Sequence, residues 1–260
     1  MLNENSANEI VTTLAKKVYS DAVAPAMREF GKIGADAIKV ARLALFPLQY
    51  GAMFQDRLAR RLQEAVERVP EARRIAPRES IALSVGERLR YENEGLNPVA
   101  DLYVNLLARA MDRERVGEAH PAFVSIIAQL APDEILVLRQ LAEQEYRAFF
   151  RLGSGKPALL LSETRVKVDS AKFPSSLAES LLHAAVIPEE LAEPTLFFTF
   201  FGHLQSLGLT EYTNQEREQF DGKFSPGFEY YFIKLTGFGR LFHGACILNS
   251  CQVPDDYARS

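Results

Sequence analysis

The side chains best suited to chemistry are four histidines and two cysteines, and their spacing offers little to work with. His120, His183, His203 and His243 lie 20 or more residues apart, so no local pair can chelate a metal. His243 stands three residues before Cys246, which places both on one face of a helix, but two ligands do not complete a site. The stretch RLGSGKPA, Arg151 to Ala158, contains Gly155-Lys156 yet lacks the glycine five residues earlier, and Pro157 occupies the place where a phosphate loop needs Ser or Thr. His-Glu-x-x-His, Gly-x-Ser-x-Gly and Cys-x-x-Cys are absent. These patterns predict no catalytic residue, no metal ligand and no cofactor site. His120, directly before Pro121, is read as a helix cap that accepts a backbone hydrogen bond.

Two segments carry the chain's candidate interaction surface. The first is QDRLARRLQEAVERV, with Arg57, Arg60, Arg61 and Arg68 set among glutamates. Glu64 and Arg68 have i, i+4 spacing, so this face is expected to be a solvated, internally paired helix surface. The second is PTLFFTFFGHLQSLGL, offering Phe197, Phe198, Phe201 and His203. It contains no Arg or Lys. A helix that reads DNA presents cations, Asn or Gln to phosphates and base edges, so the phenylalanines point instead to burial against the rest of the fold or against a protein partner.

These residues depend on a mostly helical framework. Ile10, Leu14 and Val18 open one apolar stripe that runs to about residue 30, and a second helix is expected over 35–46. Leu58, Leu62, Ala65 and Val69 stripe a third, which ends at Pro70. Ile81, Val85 and Leu89 mark another. Asn97 before Pro98 signals a helix start, with Val99, Leu102, Leu106 and Ala110 as its inner face. HPAFVSIIAQLAPDEILVLRQLAE then holds two helices begun by Pro121 and Pro132, with Asp133 and Glu134 in the first turn of the second, where carboxylates complement the helix dipole. Beyond Arg151, KPALLL and TRVKV have the apolar and β-branched character of strands. A helix follows over 177–186, another through Leu196, Phe200, Leu204 and Leu207 that stops at Gly208, then an exposed loop over 215–228. EYYFIKL is a strand, and Thr236 caps a last helix through Phe238, Leu241, Phe242 and Ala245.

The expected fold class is mainly α with a small β component. A helical region, 1–118, packs on a winged-helix-like domain, 119–250, with an insertion at 156–192 and a tail at 251–260. Of 260 residues, 47% are hydrophobic and 25% charged, ordinary for a globular chain, and the net charge of −4 gives none of the basic excess of a nucleic-acid domain. The polar start, MLNENSANEIV, lacks the profile of a signal peptide, and two thiols suit a reducing compartment, so a cytoplasmic protein is expected. The longest apolar run, Leu43 to Phe54, spans 12 residues and contains Pro47 and Gly51. A membrane-spanning helix needs about 20, which leaves this run at most a surface contact with membrane.

Three stretches together resemble a bacterial family: FPLQYGAMFQDRLARRLQEAVERVPEARRIAP, LRYENEGLNPVADLYVNLLARAMDRERVGEAHPAFVSIIAQLAPDEILVLRQL and YYFIKLTGFGRLFHGACI. The family is Abi-alpha, named for abortive infection, in which an infected cell ceases to support a phage. The motif residues carrying the resemblance, read as structural, are Leu106, Asp112, His120, Pro121, Pro132, Asp133, Glu134, Thr236, Gly239 and Phe242. Gly237 departs from the family's usual Pro after Thr236, which weakens that helix start. The resemblance implies a defence context and brings no catalytic residue with it. The expected role is a non-enzymatic component working through protein contacts, with a protein partner or a phage product as ligand and a homo-oligomer left open. A DNA-binding regulator and a membrane effector using residues 43–54 are the alternatives.

Overall fold

A computed structural model describes residues 53–91, 98–153, 156–171, 173–214, 220, 222, 224 and 227–247. The chain divides into two compact units, Met1–Arg57 and Leu58–Ser260. Of the first, only 53–57 are described, so the helices expected over 10–30 and 35–46, nearly all of the 43–54 run, the Asn97 cap, most of the 215–228 loop, Cys251 and the tail lie outside the described residues.

Within the second unit, α1 covers residues 58–67 and α2 Glu79–Leu89. Their expected stripes face inward: Ala65, Val69, Ile81, Val85 and Leu89 are all buried. Helix α3, Pro98–Ala110, is the central post, with ten of its 13 residues buried, including Asn105 and Arg109. These two polar side chains sit one turn apart and meet backbone acceptors: Asn105 Nδ2 donates to the Cys246 carbonyl at 2.7 Å and Arg109 Nη2 to the Gly244 carbonyl at 2.7 Å. Both carbonyls belong to a π-helical turn, His243–Ile247.

The Pro121 and Pro132 helices form as expected: α4, Ala122–Ile127, and α5, Pro132–Ala142. His120 Nδ1 accepts from the Ala122 amide at 3.2 Å, the capping role expected of it. Asp133 and Glu134 do more than complement a dipole, for both are buried. Glu134 Oε2 reaches back to the Ala131 amide at 2.8 Å, while Asp133 accepts from the amides of Ala192 and Glu193. The start of α5 is thereby tied to the far end of the insertion.

One three-stranded antiparallel sheet crosses the unit in the order β1-β3-β2, where β1 is Arg147–Leu152, β2 Thr210–Thr213 and β3 Phe228–Leu235. Strand β3 matches the expected EYYFIKL. The two strands expected in the insertion are corrected. TRVKV lies inside helix α6, Leu161–Ser170, because Glu163 accepts the Leu160 amide at 2.9 Å and the buried Thr164 and Val168 are four apart, while Val166 between them is 66% exposed. KPALLL forms no strand: residues 156–160 run without regular structure into α6, touching the sheet through one bond, Leu159 N to the Phe150 carbonyl at 2.7 Å. Helix α7, Ser175–Ala184, completes the insertion. Helix α8, Phe197–Ser206, leads through Gly208, at φ +73°, into β2. Helix α9, Gly237–Phe242, follows β3 and is capped by Thr236, whose Oγ1 accepts the Gly239 amide at 2.8 Å.

Two apolar clusters result. The larger draws on α1 to α5, one face of the sheet, α8 and the π turn, and so takes residues from both sides of residue 118. The smaller lies on the opposite face, where Ala148, Phe150 and Phe232 meet Leu159, Val168, Leu181 and Ala185. Gly202, in mid-α8, has open space where a Cβ would stand. Gly202→Ala is therefore expected to raise stability by about 0.5–1 kcal/mol through helix propensity alone, read as a higher urea midpoint; an unchanged or lower midpoint refutes it.

Candidate interaction surface

Helix α8 is amphipathic in a way its crowded phenylalanines conceal. Phe197, Phe201 and Leu204 are fully buried, and Phe149 of β1 receives the first two at ring distances of 5.6 and 6.2 Å. Two of the four expected surface residues of this helix are thus core, each contributing roughly 1.5–3 kcal/mol by burial. Phe198 stays 37% exposed. His203 is half-exposed, with Nδ1 2.6 Å from Oε1 of the buried Glu134.

The arginines of the other expected surface are engaged by their own neighbours. Arg61 pairs with Glu64 at 3.0 Å and Asp101 at 3.4 Å, and Arg68 donates to Asn105 rather than joining Glu64. Arg60 is exposed, and Arg57, in the first unit, lies over the Phe54 ring at 5.6 Å. Among the motif residues, Leu106 and Phe242 are core, Asp112 holds Arg73 at 2.8 Å, Pro121 and Pro132 are exposed at helix starts, and Gly239 lies against the Leu209 backbone.

A cluster that the linear sequence does not announce sits beside Phe198. Arg151 Nε donates to Glu229 Oε2 at 2.5 Å and its Nη2 to the Tyr231 hydroxyl at 2.8 Å, and that hydroxyl donates to the same Glu229 oxygen at 2.8 Å. The guanidinium lies 4.9 Å from the Phe198 ring centre and 5.0 Å from that of Tyr231, within cation–π range. Tyr231 stacks on Phe149 at 5.0 Å, and Tyr212 stands 5.7 Å from Tyr231 and 5.0 Å from Phe201. Register explains the assembly: Arg151 pairs with Glu229 and Phe149 with Tyr231 across β1 and β3, so alternate residues bring the group to one face. Burial pulls the Arg151 pKa down, but its bonds to Glu229 and Tyr231 outweigh that and leave it raised. Hydrogen bonds from Tyr231 and Arg151 hold the Glu229 carboxyl below its usual range, and burial raises Tyr212. The result is a rim of half-exposed rings, Phe198, Tyr212 and Tyr231, around a cation that the protein has already neutralised.

Elsewhere, an open cavity of about 510 Å³ between α7 and the turn after α5 is lined by Gln144, Glu145, Tyr146, Glu179, Ser180 and His183, with His183 Nδ1 2.8 Å from Gln144 Nε2. Among the described residues no group of three His, Cys, Asp or Glu could hold a metal ion. His243, partly buried, and Cys246, fully buried, both fall in the π turn, where desolvation raises the Cys246 thiol. Desolvation, then the nearby charge of Arg139, lowers His243 to about 4. Unfolding returns His243 to about 6.5, so the unfolded chain binds the extra proton between those values. Stability from this residue is therefore complete above about pH 6.5 and lost as pH falls toward 4. Unfolding midpoints between pH 7 and 4.5 are expected to lose about 2 kcal/mol more in the parent than in His243→Gln; equal losses would refute this.

Comparison with known proteins places these observations in a family. The family model described as abortive infection alpha matches residues 52–246, well over half of the chain. No curated protein and no solved structure matches the chain.

Proposed function

The chain belongs to the abortive infection alpha family, and from that membership we propose that it is an anti-phage defence component that acts through protein contacts, sensing a phage product or holding a toxic effector. The observation that carries the contact reading is the aromatic rim around Arg151. Large, partly exposed rings beside a neutralised cation suit a protein partner, since such rings supply contact area at low entropic cost. The experiment is phage plating on cells carrying Phe198→Ser or Tyr212→Ser. Both variants are expected to keep the fold, with a stability loss under about 2 kcal/mol, and to reduce protection at least about tenfold, since contact hot spots contribute about 2 kcal/mol or more. Folded variants with full protection would refute the rim's role.

The element order supports a winged-helix-like arrangement within this reading: α5, β1, insertion, α8, β2, β3, with the sheet ordered β1-β3-β2. In that arrangement α8 is the helix that would enter a DNA groove. Its outward residues are Phe198, Thr199, Gly202, Gln205 and Ser206, with no Lys or Arg. Phosphate neutralisation supplies most non-specific DNA affinity, so α8 favours protein over DNA. Binding to duplex DNA that weakens steeply with added salt would reverse that order. No described helix is long and apolar enough to cross a membrane.

A further inference from the structure

The outer edge of β1 is covered by the chain's own insertion. Leu159 N donates to the Phe150 carbonyl at 2.7 Å on the way in, and Val186 N donates to the Ala148 carbonyl at 2.8 Å on the way out. Ala148 and Ala185 form a parallel bridge there. An exposed strand edge is a ready template for another extended segment, and here the insertion's exit arm occupies it as such a segment would.

What holds α6 and α7 down is modest, although the arms beside them are anchored: Ala158, Val186 and Leu191 belong to the main core. Helix α6 buries only Thr164 and Val168, and α7 only Leu181 and Ala184, whereas α3 buries ten of 13 residues. Their apolar partners form the smaller cluster, which shares no member with the buried residues of the main core. Segments with few buried apolar contacts open at lower free energy than the core, and do so as cooperative units. Polar ties join the exit arm as well: Gln140 both donates to and accepts from the Ile187 backbone, and Arg147 donates to the carbonyls of His183 and Ala185.

We propose that α6 and α7, with the Ala185–Val186 arm, form a strap that opens as one unit, drawing Val186 from the margin of the main core while α3 stays folded, and that opening bares the β1 edge as an acceptor for an extended segment of a partner protein. Main-chain groups of Ala148 and Phe150 supply the pairing, and the Phe150 and Phe232 rings behind them supply an apolar floor. The rim of Phe198, Tyr212 and Tyr231 lies on the other face, so this proposal stands or falls apart from the rim's role in defence.

Hydrogen exchange on the full chain, read by mass spectrometry, tests the opening. Peptides from α6 and α7 are expected to exchange together and at least about 100-fold faster than those from α3. Leu181→Ala should speed both helices further and leave α3 unchanged. An oxidised Ala148→Cys/Ala185→Cys pair should slow them, with reduction reversing the effect. The edge itself is probed with a labelled peptide copying His183–Glu190. It should bind Leu181→Ala at least about tenfold more tightly than the parent, because opening is then partly prepaid, and should not bind the oxidised pair. The proposal is overturned if α6 and α7 exchange only at the α3 rate, if Leu181→Ala speeds α3 equally, or if the peptide binds neither protein or binds both alike. If the cysteine pair does not form, the Leu181→Ala exchange and peptide results decide.

Discussion

Gly239→Ala is expected to destabilise the fold by about 3 kcal/mol, at the upper end of overpacking costs, because the added methyl meets backbone that cannot swing aside. A Cβ at this position would stand 1.9 Å from the Leu209 carbonyl oxygen and 2.8 Å from its carbon. That carbonyl is itself fixed, accepting the Thr236 amide at 3.0 Å, while Thr236 Oγ1 donates to the Gly208 carbonyl at 2.6 Å and accepts the Gly239 amide at 2.8 Å. The start of α9 and the turn before β2 are thus interlocked through main-chain atoms. Relief requires moving α9, which would drag Phe242 from its edge-on contact with Phe123 at 5.1 Å. Gly244→Ala, five residues on and with open space for a Cβ, is the control and should cost far less. Urea unfolding of both variants checks this. A Gly239→Ala loss below about 1 kcal/mol would show that the α9–turn contact yields more easily than its geometry implies.

In the sequence only its motif marks Gly239 as structural; the fold supplies the reason. Helix α2, striped at Ile81, Val85 and Leu89, declares itself because one face is buried and the other is not, whereas α3 is buried nearly all round. Strand β1 does not: five of its six residues, RAFFRL, are buried, so the alternation that marks a half-exposed strand is missing, and two arginines suggest surface. Strand β2 is only four residues long. In α6 the β-branched TRVKV favours a strand locally, yet the Glu163 cap and the four-residue spacing of Thr164 and Val168 override that preference. The expected interaction surface was half legible. Phe198 and His203 reach solvent, whereas Phe197 and Phe201 are consumed by Phe149. The arginine that organises the rim is hidden in the linear sequence, because Arg151 and Glu229 meet only through strand register, 78 residues apart.

Arg147→Met should show whether strap and core are separately stable. Arg147 is 3% exposed and its guanidinium reaches four acceptors: the Gln140 carbonyl at 2.8 Å, those of His183 and Ala185 at 3.2 Å each, and the Glu143 carboxylate. Methionine keeps much of the volume and removes every donor. The Gln140 and His183 carbonyls each retain a second donor, the Glu143 amide and Gln144 Nε2, but Ala185 keeps none. Leaving buried acceptors unmet costs about 1–3 kcal/mol each, so a total of about 3 kcal/mol is expected. Glu143 is solvated and adds little when released. Lysine cannot restore the loss, because a single ammonium does not span acceptors that a planar fork meets together, so Arg147→Lys should recover less than half of it. Two of the lost bonds end on the insertion, at His183 and Ala185, so a separable strap would express much of the loss as faster exchange in α7, with a smaller shift in the urea midpoint of the core. A single cooperative unit would instead lose the full amount at the midpoint, with α3 and α7 accelerated together.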